Sequence, residues 1–146
     1  MFTTILVCSD GSDHAMRATR QAAVIAKGSD ACVLLLNVND PAKELMLYVT
    51  PWQQGAGDTL SVSDVGTGQD GILKRTAKLL DDSQVRYELL REFGHPAEQI
   101  VRVAVRESVD LIVLGSRGLA ALESPSLGAV SDHILKHAPC SVLIVR

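Results

Sequence analysis

The sequence predicts an α/β protein: a single open parallel five-stranded sheet with helices on both faces. Three observations predict it. Short, uninterrupted runs of branched apolar residues recur along the 146 residues, and stretches with helical spacing of apolar residues lie between them. The hydrophobic share is 47%, yet only 2 Phe, 2 Tyr and 1 Trp are aromatic, so the core must be built from Ala, Val, Leu and Ile. A chain of this length forms one domain, taken as residues 1–146.

The first strand is Ile5-Leu6-Val7-Cys8 and the second Cys32-Val33-Leu34-Leu35-Leu36, both continuous enough to be buried on two faces. Between them Ala15, Ala18, Ala22 and Ile25 share a helical face, with Ser12 as N-cap and Gly28 placed to end the helix in the left-handed conformation. Residues 51–71 break the rhythm, because they hold five of the 11 glycines (Gly55, Gly57, Gly66, Gly68, Gly71) among Gln, Ser, Thr and Asp. They are expected to form a flexible loop or lid outside the sheet. Leu73, Ala77 and Leu80 then mark a second helix. Residues 85–91 alternate, with Val85, Tyr87 and Leu89 opposite Arg86, Glu88 and Leu90, the pattern of an edge strand half in water. Pro96 suits the first turn of a third helix whose inward residues are expected to be Ala97, Ile100, Val101 and Ala104. Leu111-Ile112-Val113-Leu114 is a further buried strand, Val130 and Ile134 open a last helix that ends before Pro139, and Val142-Leu143-Ile144-Val145 is the final strand. Right-handed crossovers between parallel strands put these helices on the sheet faces.

Composition excludes several classes. Lys+Arg number 14 against 17 Asp+Glu, a net charge of −3, with no block of like charge, so nucleic acid is not an expected partner. The longest apolar run, Ala31 to Leu36, falls far short of the about 20 residues that cross a bilayer, and residues 1–8 lack the features of a signal peptide. No membrane is expected, and the compartment is taken as cytoplasmic. Cys8, Cys32 and Cys140 are far apart and form no CxxC pair, which predicts reduced, buried thiols rather than disulfides or a zinc site.

Two glycine sets compete for a ligand. Gly66-Thr67-Gly68-Gln69-Asp70-Gly71 is a literal GxGxxG, but the preceding residues 60–65 are polar at every second position, so no buried strand delivers the chain to it and it reads as loop. Ile72 and Leu73 stand where a Walker A motif needs Lys and Ser/Thr. The second set is better placed. Leu114 runs straight into Gly115-Ser116-Arg117-Gly118, and Gly128 opens the last helix. A glycine at a strand's carboxyl end lets a ligand touch the backbone, Gly118 can take a positive φ, and Gly128 leaves helical amides open to an anion. Arg117 adds a positive charge and Ser131 a hydroxyl for a phosphate. The same spacing also suits an ordinary turn and helix start. Asp10, in Ser9-Asp10-Gly11-Ser12 after the first strand, serves either a local Asx turn or the opposite wall of a crevice at the strands' carboxyl ends. His133 and His137 share a helical face but lack the Glu of HExxH, and read as a surface pair; Gly115 to Gly118 is one residue short of a GxSxG elbow, so no hydrolase triad is expected.

On these residues the chain resembles the universal stress protein family over essentially its whole length. The resemblance rests on Ile5-Leu6-Val7 with Ser9-Asp10-Gly11-Ser12, Leu36-Asn37-Val38, Gly94-His95-Pro96-Ala97, the stretch from Asp110 through Gly118, and His137-Ala138-Pro139-Cys140 with the final strand. It implies a Rossmann-like, adenine nucleotide alpha hydrolase-like fold with strand order 3-2-1-4-5, ATP as ligand together with Mg2+, and a dimer through the last strand. The ATP-binding branch carries G-x2-G-x9-G-(S/T), which Gly115, Gly118 and Gly128 match in spacing. The departure is Ala129, where the motif has Ser or Thr; losing one neutral hydroxyl bond weakens binding by about tenfold or less. Carried over residue by residue, the implied binding set is Cys8, Ser9, Asp10, Val38, Leu114, Gly115, Arg117, Gly118, Gly128, Ala129, Val130 and Ser131, with Asp10 near ribose and phosphates and the Val38 backbone against adenine. The function expected is a nucleotide-dependent regulatory or signalling module in stress response. The alternatives are a slow nucleotide hydrolase or transferase using the same pocket, and a nucleotide-free dimeric scaffold. An apolar final strand at a sheet edge invites pairing, so a homodimer through Ser141 to Val145 is expected.

Overall fold

The structure is a computed structural model that describes residues 1–41, 68–116 and 128–146. Within them the chain runs β1 (Thr4–Cys8), α1 (Asp13–Ser29), β2 (Cys32–Asn39), α2 (Gln69–Ser83), β3 (Tyr87–Phe93), α3 (Pro96–Arg106), β4 (Leu111–Gly115), α4 (Ala129–His137) and β5 (Ser141–Val145). The strands form one sheet in the order β3-β2-β1-β4-β5, with every neighbouring pair parallel. The continuous apolar runs are explained by the two helical layers. Alternate side chains point to opposite faces, and both faces are covered. Ile5, Val7, Val33, Leu35 and Val113 pack against Ala18, Ala22, Leu73 and Leu80 of α1 and α2. Leu6, Leu34, Leu36, Ile112 and Leu114 pack against Ile100, Val103 and Ile134 of α3 and α4. The alanine face of α1 brings that helix close to the sheet without large side chains between.

Ser12 caps α1 as expected, accepting from the Ala15 N–H at 3.2 Å. The helix does not stop at Gly28. It continues to Ser29, and Asp30 takes the left-handed position with φ 53°, a conformation Asp tolerates because its short side chain bonds locally. On α3 the inward residue is Val103, while Val101 is half-buried. On α1 Ala23 and Ala26 are buried and Ile25 is half-buried. The helix α2 starts at Gln69, so Gln69, Asp70 and Gly71 belong to it and not to the expected loop; the remaining loop glycines except Gly68 lie outside the described residues. The alternating edge strand is β3 and runs two residues beyond Arg91. The three cysteines form no disulfide and are half-buried rather than buried. Burial pushes the Cys32 thiol up, helped by Glu88 and opposed by Arg86, and burial with Asp110 pushes Cys140 up, so both are held as thiols. Among the described residues no helix is long and apolar enough to cross a membrane.

Candidate functional site

At the carboxyl end of the sheet the chain leaves β1 and β4 for opposite faces, α1 lying over one and α4 over the other. That divergence lies at the point where the strand order reverses, the place where open α/β sheets have their ligand-binding crevice. One wall is the turn Ser9 to Ser12. Asp10 Oδ1 accepts from the Ser12 N–H at 2.9 Å, which is the Asx turn. Gly11 holds φ +85°, and a Cβ there would stand 3.3 Å from Arg75 Nη2, so both conformation and space favour glycine. The Ser9 hydroxyl is buried and accepts from the Gly11 N–H at 3.2 Å. It also lies 2.9 Å from Thr76 Oγ1, whose own proton goes to the Ile72 carbonyl at 2.8 Å. The chain of bonds therefore has one direction, Gly11 to Ser9 to Thr76 to Ile72.

At the same wall the β1–β2 ladder stops early. The last rung is Ser9 N–H to Leu36 C=O at 2.9 Å, and continuation would pair Val38 N–H with Ser9 C=O and Gly11 N–H with Val38 C=O. Neither rung forms. Asn37 Nδ2 takes the Ser9 carbonyl at 2.8 Å, and the Ser9 hydroxyl takes the Gly11 N–H. Odd residues of β2 bond toward β3, as Val33 and Asn39 do, so the Val38 N–H and C=O face past the end of β1. A donor and an acceptor from one residue are left side by side.

The other wall is β4 and the start of α4. Ser116 N–H donates to the Val145 carbonyl at 2.8 Å and Gly128 N–H to the Ser116 carbonyl at 2.9 Å, which fixes the helix start against the strand end. Gly128 is the N-cap of α4 and supplies no side-chain cap, and the first intrahelical bond is Asp132 N–H to Gly128 C=O, leaving the N–H groups of Ala129, Val130 and Ser131 open. The Ser131 hydroxyl is not open: it is buried and donates to the Gly115 carbonyl at 2.9 Å. Gly115 is required by packing, since a Cβ there would lie 2.8 Å from the His14 carbonyl carbon. His14 Nδ1 lies 3.1 Å from Ser116 Oγ and joins the two walls behind the crevice. Cys8, Val38, Leu114 and Val130 belong to one apolar cluster beneath it. Arg117 and Gly118 lie outside the described residues, as does Gly66 of the GxGxxG stretch; Gly68 is the N-cap of α2. The rings of His133 and His137 are 4.3 Å apart, and among the described residues no group of three or more His, Cys, Asp or Glu is placed to hold a metal.

Sequence reasoning passed over Asn37, Thr76, His14 and Ser116 as site residues. Asn37 had a readable sign: it is a polar side chain within an otherwise apolar strand run, and it is 5% exposed. The other three become significant only through partners far along the chain.

The fold defines a class, that of open parallel α/β proteins, whose ligand sites lie where the strand order reverses. The chain belongs to the universal stress protein family, whose model matches residues 1–146. A universal stress protein from Thermus aquaticus is 34% identical over 149 aligned residues that span 100% of both chains. The solved structure of universal stress protein UspA from Lactobacillus plantarum superposes with a TM-score of 0.74 at 27% identity, covering 99% of this chain and 98% of that one. Two more distant structures share the fold: a universal stress protein in complex with cAMP (TM-score 0.70, 23% identity, 99% of this chain and 97% of that chain) and one from Archaeoglobus fulgidus in complex with dAMP (TM-score 0.69, 17% identity, 100% and 98%).

Proposed function

We propose that the crevice binds an adenine nucleotide, physiologically ATP, and that the protein acts as a nucleotide-dependent regulatory module in the cytoplasm. The observation that carries this reading is the Val38 backbone pair. Adenine presents a ring acceptor, N1, beside an amino donor, N6, which matches an N–H beside a C=O, whereas guanine entering in the same orientation presents the reverse order. The open amides at the start of α4 are suited to phosphate oxygens. The cAMP and dAMP complexes of related folds agree with the choice of base. Mg2+ would enter held by the phosphates, with Asp10 the carboxylate of the facing turn. Regulation is favoured over turnover because the hydroxyls of Ser9 and Ser131 are already committed as donors, to Thr76 and to the Gly115 carbonyl. The same reading includes a homodimer through β5.

The test is calorimetric titration of ATP and GTP into the wild-type chain and into Gly128→Val. Gly128 holds φ −63°, a conformation that valine adopts without backbone strain, so the variant is expected to fold and to place a branched side chain at the N-cap, next to the open amides. The expected result is preferred binding of ATP and its loss in the variant. Equal ATP affinity in both would overturn the phosphate assignment, and turnover of Mg-ATP at about 1 s⁻¹ or more would favour the enzyme.

A further inference from the structure

We infer that Asn37 and Ser9 are positioning residues that set which base the crevice accepts, by ending the β1–β2 ladder at Leu36, one rung before Val38. The inference rests on the adenine-nucleotide reading of the same crevice and adds to it the residues responsible for selectivity.

Parallel strands continue to pair as long as both remain extended and each carbonyl meets the next N–H. Here the chain stays within reach past Cys8, as the Ser9 to Leu36 bond shows, yet the following two rungs are replaced by side-chain bonds. Asn37 Nδ2 occupies the carbonyl that Val38 N–H would use, and Ser9 Oγ occupies the N–H that Val38 C=O would use. Both substituting side chains are buried, Asn37 at 5% and Ser9 at 0% exposure, and the Ser9 proton is directed to Thr76, whose own proton is directed to Ile72. An apolar residue at 37 would suit the surrounding strand, where Val33 and Leu35 point to the same face. The buried amide is thus explained by what it displaces. Leucine at this position removes the competitor, lets Val38 N–H close on Ser9 C=O, and takes away the donor that faces adenine N1.

The experiment combines two measurements on the wild type, Asn37→Leu and Ser9→Ala. Amide hydrogen exchange followed by NMR reads the Val38 N–H without any ligand. Fast exchange in the wild type and at least tenfold slower exchange in Asn37→Leu is expected, and a Val38 amide already protected in the wild type would overturn the inference. Titration with ATP and with GTP reads selectivity. Loss of one neutral hydrogen bond is worth about tenfold, so Asn37→Leu should lower the ATP-to-GTP affinity ratio by about that factor. Ser9→Ala frees the Gly11 N–H for the Val38 C=O and should lower the ratio in the same direction. An equal loss for both nucleotides would mean that Asn37 only supports the fold. If the wild type binds neither nucleotide, the functional reading fails and the base assignment with it, while the exchange rates still decide whether Asn37 ends the ladder.

Discussion

Around Gly115 a Cβ would meet the His14 carbonyl carbon and Cβ at 2.8 Å and its oxygen at 2.9 Å, all at the first turn of α1, where the backbone cannot yield without moving the helix. Gly115→Ala is therefore expected to cost about 1–3 kcal/mol, the usual range for overpacking, read as a lower urea midpoint with unchanged slope. Spacing alone marked this glycine as special and assigned it to ligand approach. The contact that requires it joins residues far apart in the chain, which no local pattern reveals. Ser131 teaches the same lesson from the other side: its position at the start of α4 was legible, but the acceptor of its proton, the Gly115 carbonyl, was not.

Among the elements, the two central strands β1 and β4 are joined at their amino ends by a carboxylate. Asp110 accepts from Thr3 N–H at 2.8 Å, Thr3 Oγ1 at 3.0 Å and Thr4 N–H at 3.1 Å. Burial pushes its pKa up, but these donors outweigh burial and hold the carboxyl below its ordinary value. A carboxylate depressed in the folded state adds stability above the unfolded value near pH 4 and loses it as pH falls through the folded value. Urea midpoints of the wild type and Asp110→Asn should therefore differ at pH 6 and converge below pH 4; a constant gap would show that the charge is not involved. The strands themselves were readable because burial on two faces forces continuous apolar runs, and α1's start was readable from Ser12. Its end was not, since Asp30 as well as glycine can take the left-handed position.

For the whole molecule, the two sheet edges differ in kind. The outer strand β3 alternates and carries Glu88, Arg91 and Glu92, whereas β5 is Ser-Val-Leu-Ile-Val with Leu143 at 36% exposure. Charged residues blunt an edge and apolar ones invite pairing. In the proposed homodimer the partner's β5 lies antiparallel beside it, so Leu143→Asp should give monomers or insoluble protein, and a wild-type chain sedimenting as a stable monomer at micromolar concentration would refute the contact. The sheet's parallel character was legible from the alternation of strands and helices. Its order was not; that came from the family resemblance, because nothing in periodicity says which strand lies beside which.

Gln69 has a consequence for how α2 is held to the sheet. Its side-chain amide donates to the Asn37 carbonyl at 2.9 Å and the Glu92 carbonyl at 3.2 Å, clamping the first residue of α2 to the ends of β2 and β3. One side chain thus ties three elements together at the carboxyl end of the sheet: the start of α2 is pinned to two neighbouring strands at once, and Gln69→Ala should loosen all three there together, read as faster amide exchange at the first turn of α2 and at the ends of β2 and β3 in the same variant.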